Sequence, residues 1–268
     1  MSSRVRLDQL LVNKGLVESR SRARAAIDAG GVTIDGKPAR AASQMFEDSV
    51  VLTVVEAHRF VGRGALKLDH ALTVWPVSVE GRVVLDVGAS TGGFTEVCLE
   101  RGATKVFAVD VGSGQMHERI AADARVVNLE QTDARILDEA LISEAPELVV
   151  CDASFIGLAK VLPAALTLAA PGSDLIALVK PQFEAEGPSG IGKKGLVKDP
   201  EAHSAAVSGV ADWLTSVGWT VKASTESPIA GGDGNAEFLL WAVKAQVQPL
   251  VAPDAGVSGA REDKRPRQ

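Results

Sequence analysis

The residues Asp86-Val87-Gly88-Ala89-Ser90-Thr91-Gly92-Gly93-Phe94-Thr95 close one apolar run and open a helical pattern. Glycines at such a turn let backbone approach a ligand, and a helix start offers free N–H groups. A dinucleotide fingerprint needs G-x-G-x-x-G. Here the glycines are Gly88, Gly92 and Gly93 and no Walker lysine follows, so the NAD and P-loop readings both fail. Asp110, followed by Val111, ends the next apolar run, where a carboxylate can accept hydrogen bonds from a ribose diol. Asp133 follows a third run and is placed to bind an adenine amino group. This set suits S-adenosylmethionine, which carries a ribose, an adenine and a cationic sulfonium but no phosphate. The expected cofactor contacts are Asp86, Gly88, Ala89, Ser90, Gly92, Gly93, Phe94, Asp110, Val111, Asp133 and Asp152.

The elements that must carry these residues alternate. Apolar runs at 83–86, 106–110, 148–152 and 175–180 lack polar alternation, as strands buried on both faces do. Helical patterns at 95–101, 156–169 and 201–217 separate or follow them, and two more strands are expected near 220–223 and 237–243. The reading is an α/β sandwich with a largely parallel sheet. Asp152 and Lys180 both end apolar runs, which puts them at the same sheet edge as the glycine turn.

Ahead of this lies a shorter α+β pattern. Helices are expected at 7–14 and, capped by Ser19, at 20–29; strands at 32–34 and 50–55 flank an Asp35-Gly36 hairpin turn. The expected organisation is an RNA-binding-type domain over 1–58, a linker over 59–66, a catalytic domain over 67–245 and a disordered tail over 246–268. The segment 183–200, with four glycines and Lys193, Lys194 and Lys198, reads equally as a solvated loop or as a basic flap.

Composition narrows the classes. The formal net charge of −6 argues at face value against a polyanionic partner, but residues 1–67 carry 11 Lys and Arg against 7 Asp and Glu, a net of +4. Such asymmetry hints at a nucleic-acid-facing module. Cys98 and Cys151 stand apart in apolar stretches and read as reduced core thiols of a cytoplasmic protein. Four scattered histidines offer no metal-ligand spacing, and no run approaches the ~18–20 apolar residues of a membrane span. Neither a metal nor a membrane partner is expected, the N-terminal residues do not read as a signal peptide, and a monomer is expected.

Four stretches make the pattern specific: Gly64-Ala65-Leu66-Lys67-Leu68, Asp152-Ala153-Ser154-Phe155-Ile156, Val179-Lys180-Pro181-Gln182-Phe183-Glu184 and Gly234-Asn235-Ala236-Glu237-Phe238. With the N-terminal Arg6-Leu7-Asp8-Gln9-Leu10-Leu11 and Gly31-Val32-Thr33-Ile34-Asp35-Gly36, they resemble the TlyA family over about residues 4–244. That family joins an S-four-type RNA-binding module to an FtsJ/RrmJ-type Rossmann-like methyltransferase, and some members carry the label haemolysin. The resemblance implies a ribosomal RNA ribose 2′-O-methyltransferase with a Lys-Asp-Lys-Glu tetrad at Lys67, Asp152, Lys180 and Glu237. A ribose hydroxyl is a weak acid, and an amine whose pKa is lowered by its surroundings can take its proton. On this reading Lys180 is the base, Asp152 holds it, and Lys67 and Glu237 position the ribose.

Two departures stand out. The linker has Phe60 where some members have tryptophan, and a Pro-rich tail replaces a further helix after Val243, which resembles members that modify a cytidine of large-subunit rRNA. RNA phosphate contacts are expected from Arg4, Arg6, Arg20, Arg22, Arg24, Lys37 and Arg63, and base stacking from Phe60 and Phe183, with Phe94 and Phe155 in the core. The competing readings are a non-catalytic ribosome-assembly factor, against which the filled tetrad speaks, and a membrane-active haemolysin, which no long apolar segment supports.

Overall fold

The computed structural model describes residues 4–28, 30–54, 59–184, 196–231 and 234–246. The N-terminal module opens with β1 (Val5–Arg6), α1 (Leu7–Asn13) and α2 (Arg20–Asp28). Strands β2 (Val32–Ile34), β3 (Lys37–Pro38), β4 (Met45–Phe46) and β5 (Leu52–Val54) follow. Asp35 and Gly36, both at positive φ, make the expected two-residue turn between β2 and β3. Ser19 Oγ accepts from the Arg22 N–H at 3.2 Å and so caps α2. A small core of Leu7, Leu11, Ala23, Ala26, Ile27, Val32 and Ile34 joins helices to strands.

Next comes α3 (Ala65–Val74), which the sequence patterning did not single out and which starts within the expected linker over 59–66. Then come β6 (Val83–Val87), α4 (Gly93–Glu100), β7 (Lys105–Val109), α5 (Glu118–Ala121) and β8 (Val126–Leu129). Next are β9 (Leu148–Cys151), α6 (Leu158–Val161), α7 (Pro163–Leu168), β10 (Asp174–Val179) and α8 (Pro181–Glu184). The chain closes with α9 (Pro200–Ser216), β11 (Trp219–Glu226) and β12 (Phe238–Lys244). The single helix expected over 156–169 is two, because Pro163 starts a new helix and cannot donate within the first.

These strands form one seven-stranded sheet in the order β11-β12-β10-β9-β6-β7-β8. The five strands β6 to β10 run parallel; β12 enters in reverse between β10 and β11. Leu85, Val149, Leu175 and Phe107 face one apolar layer with α6, α7 and α9, and Val84, Val106, Val150 and Ile176 face the other with α3 and α4. Alternate residues of each strand thus bury on opposite faces, which is why the runs are apolar without alternation. Both cysteines are buried and free. Among the described residues no helix is long and apolar enough to cross a membrane. The tail from residue 247 and most of the Gly/Lys-rich segment (185–195) lie outside the described residues.

Candidate active site

The parallel ladder ends level: Val87 pairs with Val109 and with Cys151. Side chains just beyond this line, Asp110 and Asp152, therefore stand at one edge, the crevice where open α/β sheets bind ligands. Lys180 follows β10 at the same edge. Because β12 is reversed, Val179 pairs with Phe238 and Glu237 arrives there from the other direction. Asn235 steadies that entry by accepting from the Val197 N–H at 2.8 Å.

The four tetrad candidates meet. Lys180 Nζ lies 2.6 Å from Asp152 Oδ1 and donates to the Asp152 carbonyl at 3.2 Å and to Ser154 Oγ at 2.8 Å. Lys67 Nζ, carried by α3, lies 2.5 Å from Glu237 Oε2 and 3.4 Å from Asp152 Oδ2. Lys67, Lys180 and Glu237 are buried, while Asp152 keeps 18% of its side chain in solvent. Two basic and two acidic side chains thus meet within one cluster. Ser154, two residues past Asp152, is a third acceptor for the Lys180 amine that the sequence reading passed over.

Two cavities meet at Asp152. The larger, about 620 Å³, is lined by Gly88, Ser90, Asp110, Val111, Asp133 and Asp152, all expected cofactor contacts, and also by Gly112, Gln115, Phe155 and Ile156. The smaller, about 290 Å³, holds Lys67, Lys180 and Glu237 together with Ala89, Gly93, Phe94, Arg63 and Ser21. Gly88 has φ +86°, and a Cβ there would stand 3.0 Å from Ala153 N and Cα, so only glycine fits. Asp110 accepts from the Ser90 N–H at 2.8 Å and the Gly112 N–H at 2.7 Å, one on each oxygen, which leaves each oxygen a lone pair for a diol.

Two expected cofactor contacts line neither cavity. Asp86 lies inside β6, in register with Ala108 and Val150, and is fully buried rather than at the strand end. Its Oδ2 accepts from Thr95 Oγ1 at 2.7 Å, and burial pushes its carboxyl up to about 7, with Asp152 and Asp110 adding to the rise against the Thr95 hydrogen bond. It ties α4 to β6 through Thr95. Gly92, at φ +90°, caps α4 and packs on Ile120. Asp133 reaches the larger cavity, but both its oxygens take hydrogen bonds from Arg135, which hold its carboxyl down at about 2. That cavity thus carries Asp110, Asp133 and Asp152 against one arginine and suits a cationic, phosphate-free ligand. These residues fit S-adenosylmethionine.

Two of the four aromatic expectations reverse. Phe60 is buried in the core between α3 and α4, whereas Phe155 is 90% exposed at φ +66° on the wall of the larger cavity, its ring 5.3 Å from that of Phe183. Phe94 is buried as expected. The linker is wall rather than tether: Gly62, Arg63 and Gly64 line the smaller cavity, and the Val61 N–H donates to the buried Glu96 of α4 at 2.6 Å. Of the RNA candidates, Arg4, Arg20, Arg24 and Lys37 are exposed, and Arg6 and Arg63 are half-buried. Arg22 differs: only 12% of its side chain is exposed, and it pairs with Glu18 at 3.2 Å. Glu18 also meets His117 at 3.0 Å.

A sheet of this order with its last strand reversed, joined cavities at the carboxyl edge and a Lys-Asp-Lys-Glu cluster between them define a Rossmann-like methyltransferase fused to a small basic module. Family models agree: an FtsJ-like methyltransferase matches residues 60–244 and an S4 domain matches residues 5–52. The chain is 46% identical over 243 residues to the 16S/23S rRNA (cytidine-2′-O)-methyltransferase TlyA of Mycobacterium tuberculosis, covering 90% of each. It is 44% identical to YqxC of Bacillus subtilis, provisionally named an rRNA methyltransferase, covering 89% of this chain and 85% of that one. A solved structure of a hemolysin-named protein from Streptococcus thermophilus superposes with a TM-score of 0.73 at 38% identity, covering 91% of this chain and 90% of that one. The chain belongs to the FtsJ-like methyltransferase family, in the TlyA group that carries an S4 domain in front.

Proposed function

We propose that the protein is an S-adenosylmethionine-dependent ribose 2′-O-methyltransferase of ribosomal RNA, with a cytidine of large-subunit rRNA as its main target and small-subunit rRNA as a possible second one. One observation carries this reading: Lys67, Asp152, Lys180 and Glu237 form one ion-pair network where the cofactor-shaped cavity opens into the smaller one. In this reading residues 1–58 dock RNA, 59–66 link, 67–245 catalyse, and the enzyme works as a cytoplasmic monomer.

The bound cofactor supplies an electrophilic methyl group on a sulfonium. Gly88 and the Ser90 turn would admit it closely, Asp110 would take its ribose hydroxyls, and Asp152 would offer a carboxylate to the positive sulfur. The target ribose enters the smaller cavity, where Lys67 and Glu237 orient it. Lys180 Nζ, after giving up its own proton to solvent, would take the 2′-hydroxyl proton as the oxygen bonds to the methyl carbon, the sulfur–methyl bond breaking to release S-adenosylhomocysteine. The resulting ammonium finds three acceptors already in place, Asp152 Oδ1, the Asp152 carbonyl and Ser154 Oγ. Such preorganisation favours the state after proton transfer. A positioned base contributes about 10²–10⁴-fold, and alignment of the reactants adds to it.

The test is transfer of labelled methyl groups to ribosomal subunits from cells lacking the gene, followed by mapping of the modified nucleotide. Label in a ribose 2′-oxygen with the wild type and none with Lys180→Ala supports the reading. Equal label in both proteins, or label on a base, refutes it.

A further inference from the structure

The first turn of α1 holds a carboxylate that the catalytic reading does not use. Asp8 is fully buried, yet three arginines surround it. Arg6 donates through Nε to Oδ1 at 3.0 Å and through Nη2 to Oδ2 at 3.1 Å; Arg20 Nη2 donates to Oδ2 at 2.8 Å; Arg24 Nη2 stands 4.0 Å from the same oxygen. The Gln9 N–H fills a further position on Oδ1 at 3.0 Å. Burial alone would raise the Asp8 pKa; the hydrogen bonds of Arg6 and Arg20 outweigh it and bring it down to about 2.

One buried anion needs one cation. Three guanidiniums leave two positive charges over, packed close enough to repel, with 41–52% of each side chain still in solvent. Arg6 and Arg20 retain unused N–H donors after serving Asp8. An arrangement that served stability alone would not collect this excess, whereas a polyanion relieves it. The location agrees. Ser21, next to Arg20 on α2, lines the smaller cavity with Lys67, Lys180 and Glu237.

We propose that Asp8 is a positioning residue for RNA binding: a buried template that holds Arg6, Arg20 and Arg24 as one comb of guanidiniums for phosphates beside the target ribose. It rests on the reading of the chain as an rRNA-modifying enzyme. It also reverses a simple expectation. Deleting an acid from a basic face should tighten binding to a polyanion, whereas deleting the template loosens it.

The experiment measures binding of the full-length chain to purified ribosomal subunits between about 50 and 200 mM salt. Thermal unfolding and S-adenosylmethionine affinity are recorded alongside. Asp8→Asn is expected to bind about five- to tenfold more weakly, with the slope of log K against log salt reduced by about one contact. In a background of Arg6→Ala, Arg20→Ala and Arg24→Ala, the same change should cost less than about twofold, since the groups it positions are gone. A merely structural role would cost as much in either background. Should Asp8→Asn lower the module's stability, Asp8→Glu keeps the charge, and its longer arm displaces the guanidiniums with the same loss of slope. Unchanged or tighter binding by the folded variants overturns the proposal, as does an equal loss in both backgrounds. If Arg20→Ala and Arg24→Ala bind like the wild type, the RNA role of this face fails and the template falls with it, while methyl transfer by the tetrad stands.

Discussion

Glu18 of the N-terminal module and His117 of the catalytic domain meet at 3.0 Å, directly beside the cofactor-side loop. The His117 backbone N–H donates to the Thr91 carbonyl, and its Nδ1 accepts from the Arg119 N–H, so His117 meets the module through its imidazole and the glycine turn through its backbone. Glu18 is held below the usual carboxylate range, first by its hydrogen bond to His117 and further by Arg22 and Arg119 nearby. Its depressed pKa means that any stabilisation is present above the unfolded value and fades as pH falls through the folded one.

This contact is largely exposed, so its worth is small. Glu18→Gln is expected to lower kcat/KM for ribosomal subunits by less than about fivefold, the range of a surface ion pair, and the gap should close in high salt. Steady-state kinetics at two ionic strengths measure it. A loss of a hundredfold would mean that the contact governs module placement outright.

Lys180→Ala and Lys180→Arg should both reduce methyl transfer by about 10²–10⁴-fold, since neither offers an amine that can take the hydroxyl proton at that point. Cofactor affinity should stay within a few-fold, because Lys180 lines only the smaller cavity. Single-turnover rates and calorimetric titration with S-adenosylmethionine separate the two effects. An arginine variant with near-normal rate would exclude Lys180 as the base.

Gly88→Ala should abolish detectable cofactor binding. The new Cβ would press on Ala153 at 3.0 Å and sit at a φ that L residues avoid. A backbone strain of about 1–3 kcal/mol is expected in the unfolding free energy. Titration and urea melts on one preparation would test both parts.

Asp86 has a carboxyl raised to about 7 inside the sheet. A raised acid favours the fold while protonated, so its contribution is full below the unfolded pKa, about 4, and is lost as pH climbs through about 7. Relative to the wild type, Asp86→Asn should therefore become progressively more stable from pH 4 to pH 8 (difference of urea midpoints). A flat difference across that window would show that Asp86 does not titrate there.

The behaviour of Asp86 also marks where the sequence stopped being readable. The apolar runs announced the parallel strands, and the glycine spacing together with Asp110, Asp152 and Lys180 announced the edge at which the site lies. Whether an acid at the end of a run stands one residue inside or outside the ladder depends on register, which pairing sets and local patterning does not. That single step separates Asp86, locked between Ala108 and Val150, from Asp152, which opens onto both cavities. Phe60 and Phe155 were exchanged for a similar reason: burial of a lone aromatic in a loop is decided by what packs against it, not by its neighbours in sequence. Arg135 shows a further limit, since its hold on Asp133 needs only two residues' separation but a turn that no periodicity reveals. Lys67 and Glu237 were legible only through family likeness, because α3 and the reversed β12 bring them together from opposite ends of the domain.

The reversal of β12 has a consequence for how the enzyme comes into being. A growing chain finishes β6 to β10, and with them Gly88, Asp110, Asp152 and Lys180, well before Glu237 emerges from the ribosome that makes it. Only when the last strand threads between β10 and β11 does Lys67 gain its nearest carboxylate, 2.5 Å away. A chain cut short before that strand keeps most of the cofactor's walls and lacks the fourth member of the tetrad. The glycine turn and the carboxylates beside it thus precede in the chain the strand that completes the ion-pair network.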